Sequence, residues 1–172
     1  MRRLSLNARL LTDAEVTDET YVALFRFTHP SLDKPVRLST DPTECLSIDP
    51  EEYGTRSSWL NPDSDPYLWI IASTMVPDDK EDAPTAATLI LETVTKEMAE
   101  VFRSIKDRAT VDMAVVLASS PDHVEVEFRD LKLMTASGNG QEITLQLSRE
   151  SIYELPWPAG RMTRARFPGL HM

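Results

Sequence analysis

The stretch "TVDMAVVLASSPDHVEVEFRDLKLM", Thr110 to Met134, decides the class of fold. In its first half Val111, Met113, Val115 and Leu117 recur every second residue, the period of a half-buried strand. "SSPD" (Ser119–Asp122) interrupts the pattern and reads as a Pro-Asp turn. The second half alternates again, with Val124, Val126 and Phe128 inward and Glu125, Glu127 and Arg129 outward. Beyond Arg129 the apolar residues move to Leu131 and Leu133, a change of parity. One inserted residue turns every later side chain to the opposite face, so the pattern predicts a β-bulge at Arg129–Asp130.

Strand patterns extend to both sides of this hairpin. Downstream, the turn "SGNG" leads to "QEITLQL", with Ile143, Leu145 and Leu147 inward. Upstream, "YVALFRFTH" (Tyr21–His29) places Tyr21, Ala23, Phe25 and Phe27 on one face, and "VRLST" (Val36–Thr40) is its expected hairpin partner. "YLWIIASTMV" (Tyr67–Val76) is nearly apolar throughout and reads as a central strand covered on both sides. "TAATLILE" (Thr85–Glu92) is another strand. In "TKEMAEVFRSIKDR" (Thr95–Arg108) the residues Met98, Val101, Phe102 and Ile105 continue an apolar stripe from Val94, which predicts an amphipathic helix across the sheet. Residues 1–20 hold a short helix with Leu6, Leu10 and Leu11, capped near Ser5, and an acidic linker. The fold class is therefore mainly β with one packed helix (α+β), mostly antiparallel. Residues 21–154 form the domain, 1–20 precede it, and 155–172 follow as an extended arm.

Two segments stand apart. Asp41–Pro66 is a long, proline-rich, acidic loop, with Trp59 and Leu60 as a hydrophobic plug for its own domain or for a partner. The ending "LPWPAGRMTRARFPGLHM" (Leu155–Met172) has three arginines and no acid in a chain of net charge -10. The preceding 154 residues carry 15 bases against 28 acids. A body this acidic repels a phosphate backbone and argues against reading DNA.

Signs of chemistry are few. The longest apolar run is too short to span a bilayer, and Asn7 and Arg9 interrupt the opening "MRRLSLNARLL" before a signal-peptide core forms. Cys45 is the single cysteine, which excludes an intrachain disulfide and agrees with synthesis in a reducing cytosol. His29, His123 and His171 lack ligand spacing, so no metal or other cofactor is expected. Glu125 and Glu127 read as the wet side of a sheet rather than as glycosidase carboxylates. One string fits a metal-dependent nuclease or hydrolase: Pro121-Asp122 followed by Asp130-Leu131-Lys132, two acids for a metal and a lysine to orient water. It is short, and it sits in an acidic body where a nuclease needs a basic cleft.

The ending Pro156, Pro158, Arg161, Thr163, Phe167, Pro168, Gly169 and Leu170 follows the pattern P-x-P-x-x-R-x-T-x-x-x-F-P-G-L. With "VALFRFTHPSLDKPVRLSTD" and the Thr110–Gly169 run, it resembles an uncharacterised family of bacteriophage domains encoded in tail-tip gene clusters, similar to distal tail and minor tail proteins of long, non-contractile-tailed phages. The likeness covers about Tyr21 to Leu170. It implies a β-sandwich or split barrel related to the tail-tube fold and a non-enzymatic role in the virion. It implies rings of six or three copies that link the tail tube to the hub, with genomic DNA only in transit and no membrane bound. By this resemblance the arm docks on a neighbour: Trp157 and Phe167 anchor, and Arg161, Arg164 and Arg166 pair with acids. Acidic segments such as Pro77–Pro84 or Asp41–Pro66 are expected to face the lumen.

Overall fold

A computed structural model of the chain describes residues 5–75, 86–92, 108–138, 142–149 and 162–170. The described residues are mainly β. Their strands are β1 (Tyr21–Thr28), β2 (Val36–Ser39), β3 (Glu44–Ile48), β4 (Glu51–Thr55), β5 (Tyr67–Trp69), β6 (Ile71–Met75), β7 (Ala86–Glu92), β8 (Thr110–Leu117), β9 (Ser120–Gly138) and β10 (Glu142–Ser148). All belong to one sheet, in the order β3-β4-β5-β2-β1-β8-β9-β10-β7-β6. The helix among the described residues is α1 (Leu6–Asp13). The helix expected over Thr95–Arg108 lies, apart from Arg108, outside the described residues.

The sheet curls, and the chain itself shows why. β5 and β6 are separated by Ile70 alone, yet β6 ends the sheet while β5 sits third from the opposite end. One residue cannot bridge a flat sheet of this width, because each strand adds about 4.8 Å. The sheet must bend round until its β6 end approaches β2 and β5, and the result is a half-barrel. Ile70 marks the corner: its N–H donates to the Ser39 carbonyl at 2.9 Å, and its side chain is buried in the interior. The interior cluster draws on strands all round the curve, including Phe25, Phe27, Leu38, Leu89, Met113, Leu131 and Leu145.

This corner corrects the reading of Tyr67–Val76 as one central strand. The run is two strands that turn at Ile70, and β6 is an edge. Leu68, Trp69 and Ile71 are each about two-fifths exposed. Two further corrections follow from the path between β2 and β5. Asp41–Pro66 is not a bare loop, since it contains the β3–β4 hairpin. Its strands carry Glu44, Glu51 and Glu52, and charged side chains are tolerated at a sheet edge. After this excursion β5 enters beside β2 in the same direction, pairing Leu38 with Leu68 and Ser39 with Trp69, so the sheet is mixed rather than purely antiparallel. Gly54 permits that approach: a Cβ there would lie 2.0 Å from the Tyr67 carbonyl oxygen.

The bulge predicted at Arg129–Asp130 is present. Val111 pairs with Leu131 and Met113 with Phe128, so Arg129 and Asp130 together oppose Asp112. Asp130 takes a left-handed conformation with φ 58, and its N–H donates to Asp112 Oδ1 at 3.1 Å. Phe128 before the bulge and Leu131 after it thereby reach the same interior. The turn between β8 and β9 is Ala118-Ser119 rather than the expected Ser-Pro-Asp.

β1 pairs with β2 as expected and with β8 along its whole length. Its second face is also covered, because Val22 and Leu24 join Ala114, Val116, Trp59 and Tyr67 in a separate outer cluster. α1 is capped as expected, with Ser5 Oγ accepting from the Ala8 N–H at 3.1 Å. Glu125 accepts the Ser5 N–H at 2.9 Å, a negative charge at the positive end of the helix. Glu125 is therefore buried rather than on a wet face. The helix turns Ala8 inward, while Leu6 and Leu10 are exposed.

The bulge can be tested by substitution. Asp130→Gly should leave stability within about 0.5 kcal/mol, because glycine occupies the left-handed region freely. Asp130→Val should cost about 1–3 kcal/mol, because a β-branched residue is strained there. Urea midpoints of both variants beside the parent measure this, and equal midpoints for Val and Gly would count against the bulge geometry.

Candidate functional site

The outer face of the sheet carries a connected set of polar contacts. It is closed by residues 56–66, which act as a cover over the outer cluster. Four bonds clip the cover down. Ser57 Oγ donates to the Pro121 carbonyl at 2.7 Å, and Asp122 Oδ1 accepts from Ser58 N at 2.6 Å and Ser58 Oγ at 2.8 Å. Trp59 Nε1 donates to Glu127 Oε2 at 3.4 Å. Asn61 Nδ2 ties the cover internally, donating to the Ser57 carbonyl at 2.9 Å and the Asp65 carbonyl at 2.7 Å. The Tyr67 hydroxyl donates to the Trp59 carbonyl, and the two rings lie 6.2 Å apart.

Trp59 is 6% exposed and Leu60 packs half-buried on the same cluster. The plug therefore closes on its own sheet. Docking of Trp59 on a partner is corrected by this burial, since almost none of its surface remains to cover.

Beside Tyr67 the cluster becomes charged. Arg37, Arg26 and Asp112 form a row across β2, β1 and β8, each directly opposite the next. Arg26 lies 3.6 Å from Asp112, and Arg37 lies 3.3 Å from Asp65 at the end of the cover. Burial pushes the Tyr67 phenol up to about 12 against the opposing pull of Arg37 and Arg26, so the hydroxyl stays protonated at neutral pH.

The hydrolase residues are not brought together. Asp122 is spent on Ser58, and Lys132 Nζ donates to Thr110 Oγ1 at 2.8 Å. Asp130 sits at the bulge opposite Asp112, whereas Asp122 lies past the Val116–Val124 pair. Four residues along β8 separate those two levels, about 13 Å at roughly 3.3 Å per residue. Two carboxylates on one cation stand within about 5 Å of each other. Among the described residues no group of three or more His, Cys, Asp or Glu is placed to hold a metal ion. His29 Nδ1 lies 2.6 Å from Ser31 Oγ in the β1–β2 turn, His123 is exposed, and His171 lies outside the described residues. Among the described residues no helix is long and apolar enough to cross a membrane.

Of the assembly residues, Trp157 and Arg161 lie outside the described residues. Arg164, Arg166 and Phe167 are exposed, as is every residue from Met162 to Leu170. This segment is not extended. The Thr163 carbonyl accepts from Arg166 N at 3.0 Å and from Phe167 N at 2.8 Å, and Pro168–Leu170 form a 3-10 turn. Proline at the start of such a turn has no N–H to leave unpaired. The arginine row and the Ser58–Asp122 clip escaped sequence reading, although the polar Arg26 inside an apolar strand was a visible signal.

No protein-family model matches this chain, and no curated protein matches it in sequence.

The cover should respond to acid. Hydrogen bonds from Ser58 hold the Asp122 carboxyl below the ordinary aspartate range. A lowered folded-state value means that the stability it contributes is present above the unfolded value and is lost as pH falls through the folded one. Trp59 emission, read in a variant carrying Trp69→Phe and Trp157→Phe, should change below about pH 4. Asp122→Ala should abolish that transition and cost about 1–2 kcal/mol at neutral pH. An unchanged acid transition in Asp122→Ala would show that another group holds the cover.

Proposed function

We propose that this chain is a non-enzymatic structural component of a bacteriophage tail tip, a distal-tail or baseplate ring subunit. It joins the tail tube to the hub and lets genomic DNA pass. The finer fold assignment belongs to the same reading: the curled half-barrel is taken as a split barrel related to the tail-tube fold. The observation that supports the function most is the exposed ending. Arg164, Arg166 and Phe167 stand in a compact exposed turn, with no acid from Leu155 onward, on a body with 28 acids against 15 bases. A basic, aromatic-tipped segment has its complement on the acidic surface of another copy or of a neighbouring tail protein. Aromatic burial supplies the energy of such a contact, and the arginines supply registry and salt dependence.

In this reading the protein forms rings of six or three copies in the virion, synthesised in the host cytoplasm. An acidic lumen keeps DNA from sticking. The acidic β3–β4 hairpin is a candidate to line it. Pro77–Pro84, the other candidate, lies outside the described residues.

Deleting residues 159–172 should leave a cooperatively melting domain that fails to form rings in negative-stain electron microscopy or to enter tails. Phe167→Ala and Trp157→Ala should each weaken assembly by about 2 kcal/mol. Normal assembly of the truncated chain would refute the docking role, and loss of cooperative melting would assign the segment to its own core.

A further inference from the structure

The row of charge on the outer face has more donors than acceptors. Strand alternation puts Arg26 on this face with Val22 and Leu24, and Arg37 with Ser39, and the two arginines are direct cross-strand partners. Like charges at such positions repel. The side chain of Arg37 is 4% exposed and that of Arg26 is 24% exposed, so solvent screens the pair only partly. The carboxylates at hand do not balance them. Asp65 serves both Arg37 at 3.3 Å and Lys34 at 3.6 Å, while Arg26 has Asp112 at 3.6 Å. Three cations thus share two carboxylates.

Hydrogen bonding is short by the same measure. A guanidinium offers five N–H donors in a planar fork. Arg37 directs one to Asp65 and also hydrogen-bonds the Tyr67 side chain. The Arg26–Asp112 contact is an ion pair too long to be a hydrogen bond. The Nε atoms of both arginines are buried with no partner among the described residues, an arrangement folded proteins rarely keep. Holding Asp65 and Tyr67 accounts for part of the Arg37 fork, whereas the Arg26 fork meets Asp112 as an ion pair without a hydrogen bond.

We propose that Arg26 and Arg37 form a binding site for a small oxyanion of the phosphate type, on the outer face of the sheet beside Tyr67. An anion with several oxygens set against the exposed edge of Arg26 accepts from its fork, and its charge relieves the repulsion between Arg26 and the buried Arg37 behind it. Arg26 and the half-exposed Asp65 leave one side of the row open to solvent. The acidity of the rest of the chain turns away polyanions such as nucleic acid, so a small free ion is the ligand that fits.

The test is calorimetric titration of inorganic phosphate into the full chain at constant ionic strength, with chloride as control. Saturable one-to-one binding is expected with phosphate and none with chloride. Arg26→Gln should weaken binding at least about tenfold, the effect of losing one charge-assisted contact. Asp112→Asn, which removes the competing carboxylate while keeping an acceptor for the Asp130 N–H, should tighten it. No saturable heat with phosphate, or undiminished binding in Arg26→Gln, overturns the site. If Arg26→Gln does not fold by circular dichroism, Asp112→Asn decides. Tighter binding supports the proposal, and equal or weaker binding overturns it.

Discussion

The hydrogen bond from the Ile70 N–H to the Ser39 carbonyl stands at the point on which the architecture depends. It holds the corner where the chain leaves β5 and starts β6, and those strands occupy distant places in the sheet order. A sheet constrained in this way has to curl. Curling gives it an inside large enough for Phe25, Phe27, Met113 and Leu145 and an outside that needs separate cover. The long strand β9 follows the curve only because it is broken by a bulge at Asp130, where the added twist lets the strand bend while both halves keep apolar contacts inside.

The outer face is where stability and specialised chemistry meet. Residues 56–66 supply Trp59 to the outer cluster, and their clips to Pro121 and Asp122 come from the far end of β9. The same face holds the buried Arg37 and the partly exposed Arg26 in adjacent strands. Buried charge is retained in proteins at a cost, and its presence near a cover held by a few polar contacts calls for a reason beyond packing. Oxyanion binding at that row and ring assembly through the C-terminal segment draw on different residues, so either can hold without the other.

The proposed assembly role rests on a contrast in charge more than on shape. An acidic body with an exposed basic ending is suited to pairing with copies of itself, because the two surfaces complement each other while the bodies repel. Repulsion of this kind discourages non-specific clustering and leaves the anchored contact as the favoured one.

Local pattern by itself determined much of this protein. The two-residue period placed β1, β2, β7, β8, β9 and β10, the change of parity located the bulge to the residue, and Ser5 announced the cap of α1. These signals are legible because each depends on neighbours a few positions away. What only the tertiary structure decided depends on residues far apart. The Tyr67–Val76 run looks central in sequence, yet it bends at Ile70 and ends the sheet. The β3–β4 hairpin hides among prolines and acids because an edge strand needs no apolar alternation. Trp59 became part of its own core because residues 56–66 fold back over the sheet, and Glu125 became a helix cap because the start of α1, 120 positions away in sequence, packs against it. Asp122, Asp130 and Lys132 sit close in sequence, but an extended strand spaces its side chains too widely for a joint site. The pairing of Arg26 with Arg37 arises from the register of a hairpin, a long-range fact that no local pattern contains.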